Sequence, residues 1–234
     1  MVYLLKKEIA GFFSTPFGFV FMGIFLLLSG ISFVTYNLLG GGGDLTGMFS
    51  LLGNLSFMVF PILTMRLFAE ERRAGTEHLL ISSRLTITQI VIAKYLAAVF
   101  VFLITLVITF IYVGIIAAHG YPNYGAIAAS YLGYFMLGVA MISVCILASS
   151  FAENQVTAAI LSFGMLFVLV MLGSFGQNIN TPGLAAGISA LSITQRYDEF
   201  TLGVFRLGTV FYYLAFSAVA ILLAVKNMEW RRLR

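Results

Sequence analysis

Apolar residues gather in six long stretches, running roughly from Pro16 to Leu39, Met48 to Phe68, Thr88 to Ala118, Gly125 to Ser150, Val156 to Phe175 and Thr209 to Val225. Crossing a hydrocarbon core takes about 20 helical residues, so each stretch predicts a membrane span. The segment ahead of them, Met1 to Phe13, is too polar to cross. There Val2, Leu5, Ile9 and Phe12 recur at helical spacing with Lys6, Lys7 and Glu8 between them, which predicts an amphipathic helix in the interface. A signal peptide is the competing reading, but no small-residue cleavage site closes the apolar stretch that follows, so the segment is expected to be retained. Ser14 and Thr15 before Pro16 make a helix start, since proline at the first position gives up only an unpaired donor. Thr86 and Gln89 form a capping-box pattern at the start of span three, with Leu85 and Ile90 placed as its hydrophobic staple. Pro61 is expected to kink span two, and Gly40 to Gly43 to form an external turn.

Two connections are longer than a turn. One is Phe68 to Ile87. The other, Gly176 to Gly208, mixes Asn178, Asn180, Pro182, Gln195, Arg196, Asp198 and Glu199 with Leu184, Ile188, Leu191, Phe200 and Val204. It predicts one or two short helices tucked against the outer membrane face.

Composition narrows the class. Of 234 residues, 61% are hydrophobic and 9% charged, whereas a soluble domain carries about 25% charged residues. A water-soluble core cannot hide that much apolar surface, and a disordered chain would not contain it. The chain is therefore expected to be one all-α integral membrane domain over residues 1–234. Of the 13 Lys and Arg, only Arg196 and Arg206 fall outside one set of segments: the N-terminal helix, the surroundings of the span two–three loop, and the stretch after span six. By the positive-inside rule both termini are expected in the cytoplasm, in a plasma or inner membrane. Glu229-Trp230-Arg231-Arg232 reads as an interfacial stop, with the indole at headgroup depth.

Several chemistries are excluded. A phosphate-binding P-loop needs a lysine after glycine, and none of Lys6, Lys7, Lys94 and Lys226 is so placed. The span centres hold no ionisable group of the kind an ion-coupled carrier uses. Arg66 and Lys94 lie near span ends, where long side chains can snorkel. His78, His119 and the single Cys145 form no metal or nucleophile cluster, so neither a metal site, a disulfide nor an intramembrane protease is expected. Asn54, Thr64 and Ser143 are neutral polar residues expected to serve helix packing. Gly125, Ala129 and Gly133 put small residues on one face of span four, allowing close approach of another helix in the bundle or in a second subunit. Nucleic acid is not an expected partner; membrane lipid is.

The densest charged stretch is Glu70-Glu71-Arg72-Arg73-Ala74-Gly75-Thr76-Glu77-His78-Leu79-Leu80-Ile81-Ser82-Ser83-Arg84-Leu85. Span two is expected to run on through Glu70 and Glu71 until Gly75 breaks the helix. Thr76 can then cap a new short helix with Glu77 in its first turn, and Leu79, Leu80 and Ile81 give that helix an apolar side. Residues alone leave two readings open: a docking helix for a cytosolic partner, or a solvated loop whose arginines only fix topology.

The spacing Glu70-x4-Gly75-Thr76-Glu77-x-Leu79-Leu80, followed by Lys94 in the third span, resembles the pattern of ABC-2 type exporter permeases. The order of elements is similar as well. More narrowly, Leu191-Ser192-Ile193 through Phe200, then Gly203-Val204-Phe205 and Val210-Phe211-Tyr212-Tyr213, resembles the gliding-motility-associated permease branch, although Arg206-Leu207-Gly208 replaces its usual acidic stretch. The resemblance implies a permease subunit that pairs with a second copy or a related subunit. It also implies two copies of a separate cytosolic ATPase, which would carry the ATP and Mg, so that no cofactor belongs to this chain. Within that branch an auxiliary membrane protein with a large external domain is a further implied partner. The ATPase-coupling residues carried over are Glu70, Glu71, Arg72, Gly75, Thr76, Glu77, Leu79, Leu80, Ser83 and Lys94, with Thr76 through Ser83 as the coupling helix. A stand-alone channel or carrier, and a structural or assembly protein, are the alternatives.

Overall fold

The computed structural model describes residues 1–41, 43–73, 75, 85–119, 122–176, 192–201 and 206–232. Among the described residues every regular element is helical, and six runs are long and apolar enough to cross a membrane: Pro16–Leu38, Thr46–Arg72, Ile87–Ala118, Tyr124–Phe151, Gln155–Gly173 and Leu207–Arg231. They are spans one to six below, and they reproduce the six apolar stretches of the sequence.

Local chemistry sets several boundaries. Pro16 occupies the first turn of span one. Thr86 and Gln89 make both halves of the capping box at span three, and Leu85 packs in one cluster with Ile90 and Leu4. Span one ends in a π-turn over Val34–Leu38, and Gly41 beyond it takes a φ of +68°, the left-handed region that glycine enters without steric cost. Span two is helical through Pro61 to Thr64, and a second helix, Arg66–Arg73, follows Met65. Span three breaks at Thr109, whose hydroxyl bonds back to the Leu106 carbonyl and whose own carbonyl accepts from the Tyr131 hydroxyl. Periodicity alone does not show that break, because the apolar run continues through it.

Spans two and four form the centre, with 56% and 78% of their apolar windows buried against 28–33% for the others. Span four packs on spans two, five and six, and span one packs on span two. Mid-bundle, Phe25, Phe49, Phe60, Phe102 and Tyr134 make a ring cluster with centroids 5.1–6.1 Å apart. Phe102 fits because Gly138 faces it: a Cβ there would lie 2.3 Å from Cε1. Asn54, Thr64 and Ser143 each donate to a carbonyl of their own helix.

The interfacial helix forms over Val2–Ser14 and packs on span three. Its inward face differs from the expected one. Leu4 and Phe12 are buried, Leu5 and Ile9 partly so, and Val2 is exposed. Positions 4, 8 and 12 share a helix face, so Glu8 points inward with them.

At the other end, the connection before span six contains a helix, Ile193–Thr201. Residues 177–191 lie outside the described residues. Ile193, Tyr197 and Phe200 are buried, so this helix sinks into the mouth of the bundle between spans two, four and five rather than lying on the membrane face. The small-residue face of span four explains part of this. Gly133 receives Phe200, with a virtual Cβ 2.4 Å from the Phe200 Cβ. Of the Gly125, Ala129, Gly133 pattern, Gly133 thus makes a contact within the bundle.

Candidate functional site

The site expected from the sequence lies at the end of the bundle that holds the interfacial helix, the loop between spans two and three, and the end of span six, here called the basic end. Arg66–Arg73 supplies its frame. Eight residues make about two turns, and each side of this helix touches a different element. Gly75 follows it with a φ of +67°, its N–H bonded to the Arg72 carbonyl at 3.0 Å. The helix stop assigned to Gly75 is therefore present, and it is the left-handed residue past a helix end that glycine accommodates best. Thr76, Glu77, Leu79, Leu80 and Ser83 lie outside the described residues.

Lys94 is the centre of the described part. Only 1% of it is exposed, and it does not snorkel to the interface. An ammonium has three donors and no acceptor, and here it meets three acceptors: Glu8 Oε1 at 3.0 Å, Glu71 Oε1 at 2.9 Å and the Leu67 carbonyl at 2.6 Å. The Phe68 ring lies 5.4 Å from Nζ. The reason Lys94 stays inside is geometric. It sits two turns into span three, and the interfacial helix and Arg66–Arg73 close over it from both sides. A charge so buried costs several kcal/mol to desolvate unless it is paired and fully hydrogen-bonded, and both conditions are met. Three elements that are remote in sequence are thereby tied at one point.

Arg66 makes a parallel tie. Its guanidinium pairs with Glu70 Oε2 at 2.9 Å, one helical turn on. It also bonds the Thr15 hydroxyl and the Gly11 carbonyl of the interfacial helix. The Phe12 and Phe17 rings flank it at 5.8 and 5.4 Å. Thr15 consequently spends its hydroxyl on Arg66 and Gly11 rather than on capping span one. A cavity of about 180 Å³ opens beside these pairs, lined by Lys7, Glu8, Glu70 and Glu71 among others.

Arg72 faces the opposite way. Its guanidinium donates to the Ala152 carbonyl and, at 2.9 Å, to the Ser150 carbonyl at the end of span four. So of the described residues carried over as coupling positions, Glu71 and Lys94 meet each other, Glu70 meets Arg66, and Arg72 turns inward to span four. The sequence reading passed over Glu8 as one of the polar residues between apolar ones. Its spacing of four from both Leu4 and Phe12 is the signal that could have placed it inside. Among the described residues no group of His, Cys, Asp and Glu could hold a metal ion.

A family model described as ABC-2 family transporter protein matches residues 33–195, from the end of span one to the start of the helix that sinks into the opposite end. No curated protein matches the chain in sequence. The match covers more than half of the chain and encloses the whole span two–three loop with its buried lysine. The chain belongs to the ABC-2 transporter family and is a membrane permease component of an ABC transporter, a part that transports rather than catalyses.

Proposed function

We propose that this chain is the permease subunit of an ABC exporter, that two permease subunits form the pathway, and that a separate P-loop ATPase drives it from the cytoplasmic side. The observation that carries the reading is the Lys94 centre. It fixes the root of the span two–three loop to the interfacial helix and to span three at once, and a loop that is to be pushed by a partner needs a stiff base.

In this reading the basic end faces the cytoplasm, and Thr76 to Ser83 is the coupling helix. Leu79 and Leu80 anchor it in a groove of the ATPase. Burying one leucine side chain is worth roughly 1.5–3 kcal/mol, enough for two of them to decide docking. Glu70 and Glu71 brace the helix through Arg66 and Lys94. The narrower assignment to the gliding-motility-associated branch rests on the run from Leu191 to Tyr213, and the auxiliary membrane partner goes with it.

Co-purification from native membranes tests the reading: a cytosolic P-loop ATPase should come down with the chain. Leu79→Asp and Leu80→Asp should abolish its capture while Asp44→Asn leaves it unchanged. Capture at the native level by both Asp variants would make the loop an ordinary connection. Orientation is tested separately by single-cysteine labelling in intact cells. Labels at positions 44 and 123 should react from outside, and a label at position 73 should not.

A further inference from the structure

The end of span four lacks the usual means of closing a helix. Its last helical residue is Phe151, and Ala152 follows in extended conformation, with no glycine to fold the chain back over its carbonyls. The last carbonyls of a helix have no partner inside it and carry partial negative charge. Such groups are satisfied by water or by donors from the protein. Here the donors come from two other elements. Arg72 reaches the Ala152 and Ser150 carbonyls. Asn227, on span six, donates to the Ser150 carbonyl and to the Ser150 hydroxyl, both at 2.9 Å. Arg231, one turn further, reaches the Phe151 carbonyl at 2.8 Å. The last two carbonyls of span four and that of Ala152 just beyond it are thus capped by the helix Arg66–Arg73 and by the end of span six.

A second, apolar contact runs beside this cap. Ala69 is fully buried in a cluster with Ala152 and Ala158, and Met65 and Leu161 pack against it. Residues 65, 69 and 72 share one face of a helical path at spacings of four and three. Residues 67 and 71 hold Lys94 from another side. The short helix Arg66–Arg73 therefore has one face on the interfacial helix and span three, and another on the span four–five turn and, through the Ser150 carbonyl shared with Asn227, on span six.

We infer that Arg72, with Asn227 and Arg231, is the internal link that passes displacement of the span two–three loop into spans four, five and six. Arg72 is thereby a positioning residue within the bundle rather than part of the surface that meets the ATPase. The inference rests on the coupling role proposed above for the loop. Its physical content is that guanidinium and amide donors on backbone carbonyls are short and directional. The loop root cannot shift while the end of span four stays put without breaking both Arg72 bonds, and span six is held to the same stretch by Asn227 and Arg231.

The link itself is testable without any ATPase. In the isolated chain in lipid nanodiscs, Asn227→Ala should mobilise a spin label at position 73, and Arg72→Ala should mobilise one at Lys226, because a coupling is felt equally from both sides. Tyr131→Phe removes the hydroxyl that donates to the Thr109 carbonyl and meets the Thr109 hydroxyl at the other end of the bundle and should change neither label. Transmission is then read in the complex with the co-purified ATPase, from labels at the exposed positions Lys6 and Lys226. ATP should change their separation in the unmodified protein and in Tyr131→Phe. In Arg72→Ala and Asn227→Ala the change should fall at least fivefold, with ATPase capture kept within twofold. Label spectra unaffected by both cap variants, or a full ATP-driven change in either, would overturn the inference. Loss of ATPase capture by the unmodified chain would instead overturn the coupling reading, and leaves the isolated-chain result to decide the link.

Discussion

The basic end of the bundle is joined by charge and by donors on exposed carbonyls; the opposite end is joined by aromatic rings, tyrosine hydroxyls and glycines. At the basic end, Lys94 gathers Glu8 and Glu71, Arg66 gathers Thr15 and Glu70, and Arg72 caps span four. At the opposite end, the Tyr197 hydroxyl donates to the Phe49 carbonyl at 2.8 Å and the Tyr213 hydroxyl to the Ile193 carbonyl at 2.7 Å. Gly53 and Gly133 there make room for Tyr197 and Phe200, and the Arg196 guanidinium lies on the Tyr212 ring at 4.2 Å. Ring packing with two tyrosine hydrogen bonds dominates one end, and ion pairs with carbonyl caps dominate the other. Packed rings resist displacement in every direction, because any shift forfeits many small contacts. Ion pairs and carbonyl caps instead tie elements together through a few identified bonds, which must break before those elements part. Motion at the basic end must therefore break a few identified bonds, whereas motion at the opposite end must undo a packed surface.

The contrast breaks most visibly at Lys94. Lys94→Met leaves two carboxylates without their cation and should cost about 3 kcal/mol, the range for removing one partner of a buried pair. Thermal unfolding in lipid nanodiscs would read this as a clear fall in midpoint. Adding Glu8→Gln and Glu71→Gln to the same chain should recover most of the loss, since the buried charges are then gone together. No loss in the single variant would mean that charge does not hold the basic end.

Next in size is the opposite end. A Cβ at Gly133 would sit 2.4 Å from the Phe200 Cβ, so Gly133→Ala should cost about 2 kcal/mol by overpacking. The double change Gly133→Ala with Phe200→Ala should remove that clash but leave a cavity. A double variant whose loss equals the two single losses added together would argue against direct contact. Smaller still, Tyr197→Phe deletes one hydroxyl and leaves the Phe49 carbonyl unpartnered by it. About 1 kcal/mol is expected, read as faster amide exchange in the first turn of span two with the basic end unchanged.

The smallest effect tests the charge picture at its rim. Glu70 is 46% exposed in its side chain and pairs with Arg66 one turn away. Glu70→Gln should cost less than about 0.5 kcal/mol, and 0.5 M salt should erase even that, because exposed pairs are screened. The same salt should leave the Lys94 contribution nearly intact. Equal sensitivity of both to salt would place Lys94 in water.

Most span boundaries were legible to within two residues because apolar length is a one-dimensional property of the chain, while spans two and six run on four and six residues further through their charged ends. The Thr86 capping box, the Gly75 stop and the Pro16 start were legible for a similar reason, since each joins residues at most a few positions apart. The inward face of the interfacial helix was only half legible. Hydrophobicity placed Leu5, Ile9 and Phe12, but a glutamate on the inner face has no apolar signature. The depth of the Ile193–Thr201 helix was not legible either. Its mixed composition fits a helix on the membrane surface as well as one sunk over Gly53 and Gly133.

The sequence by itself determined a six-span helical membrane domain, its charge asymmetry, and a loop with a glycine stop and a lysine following in the next span. These follow from hydrophobic transfer and local backbone chemistry, which act within a turn or a span. The burial of Lys94 between Glu8 and Glu71, and the reach of Arg72 to the end of span four, come from the packing of the helices. Those partners lie 86 and 78 residues apart for Glu8 and the Ser150 carbonyl. A buried charge takes whichever acceptor the crossing helices bring within about 3 Å, and that is settled by how six spans pack, not by spacing along the chain.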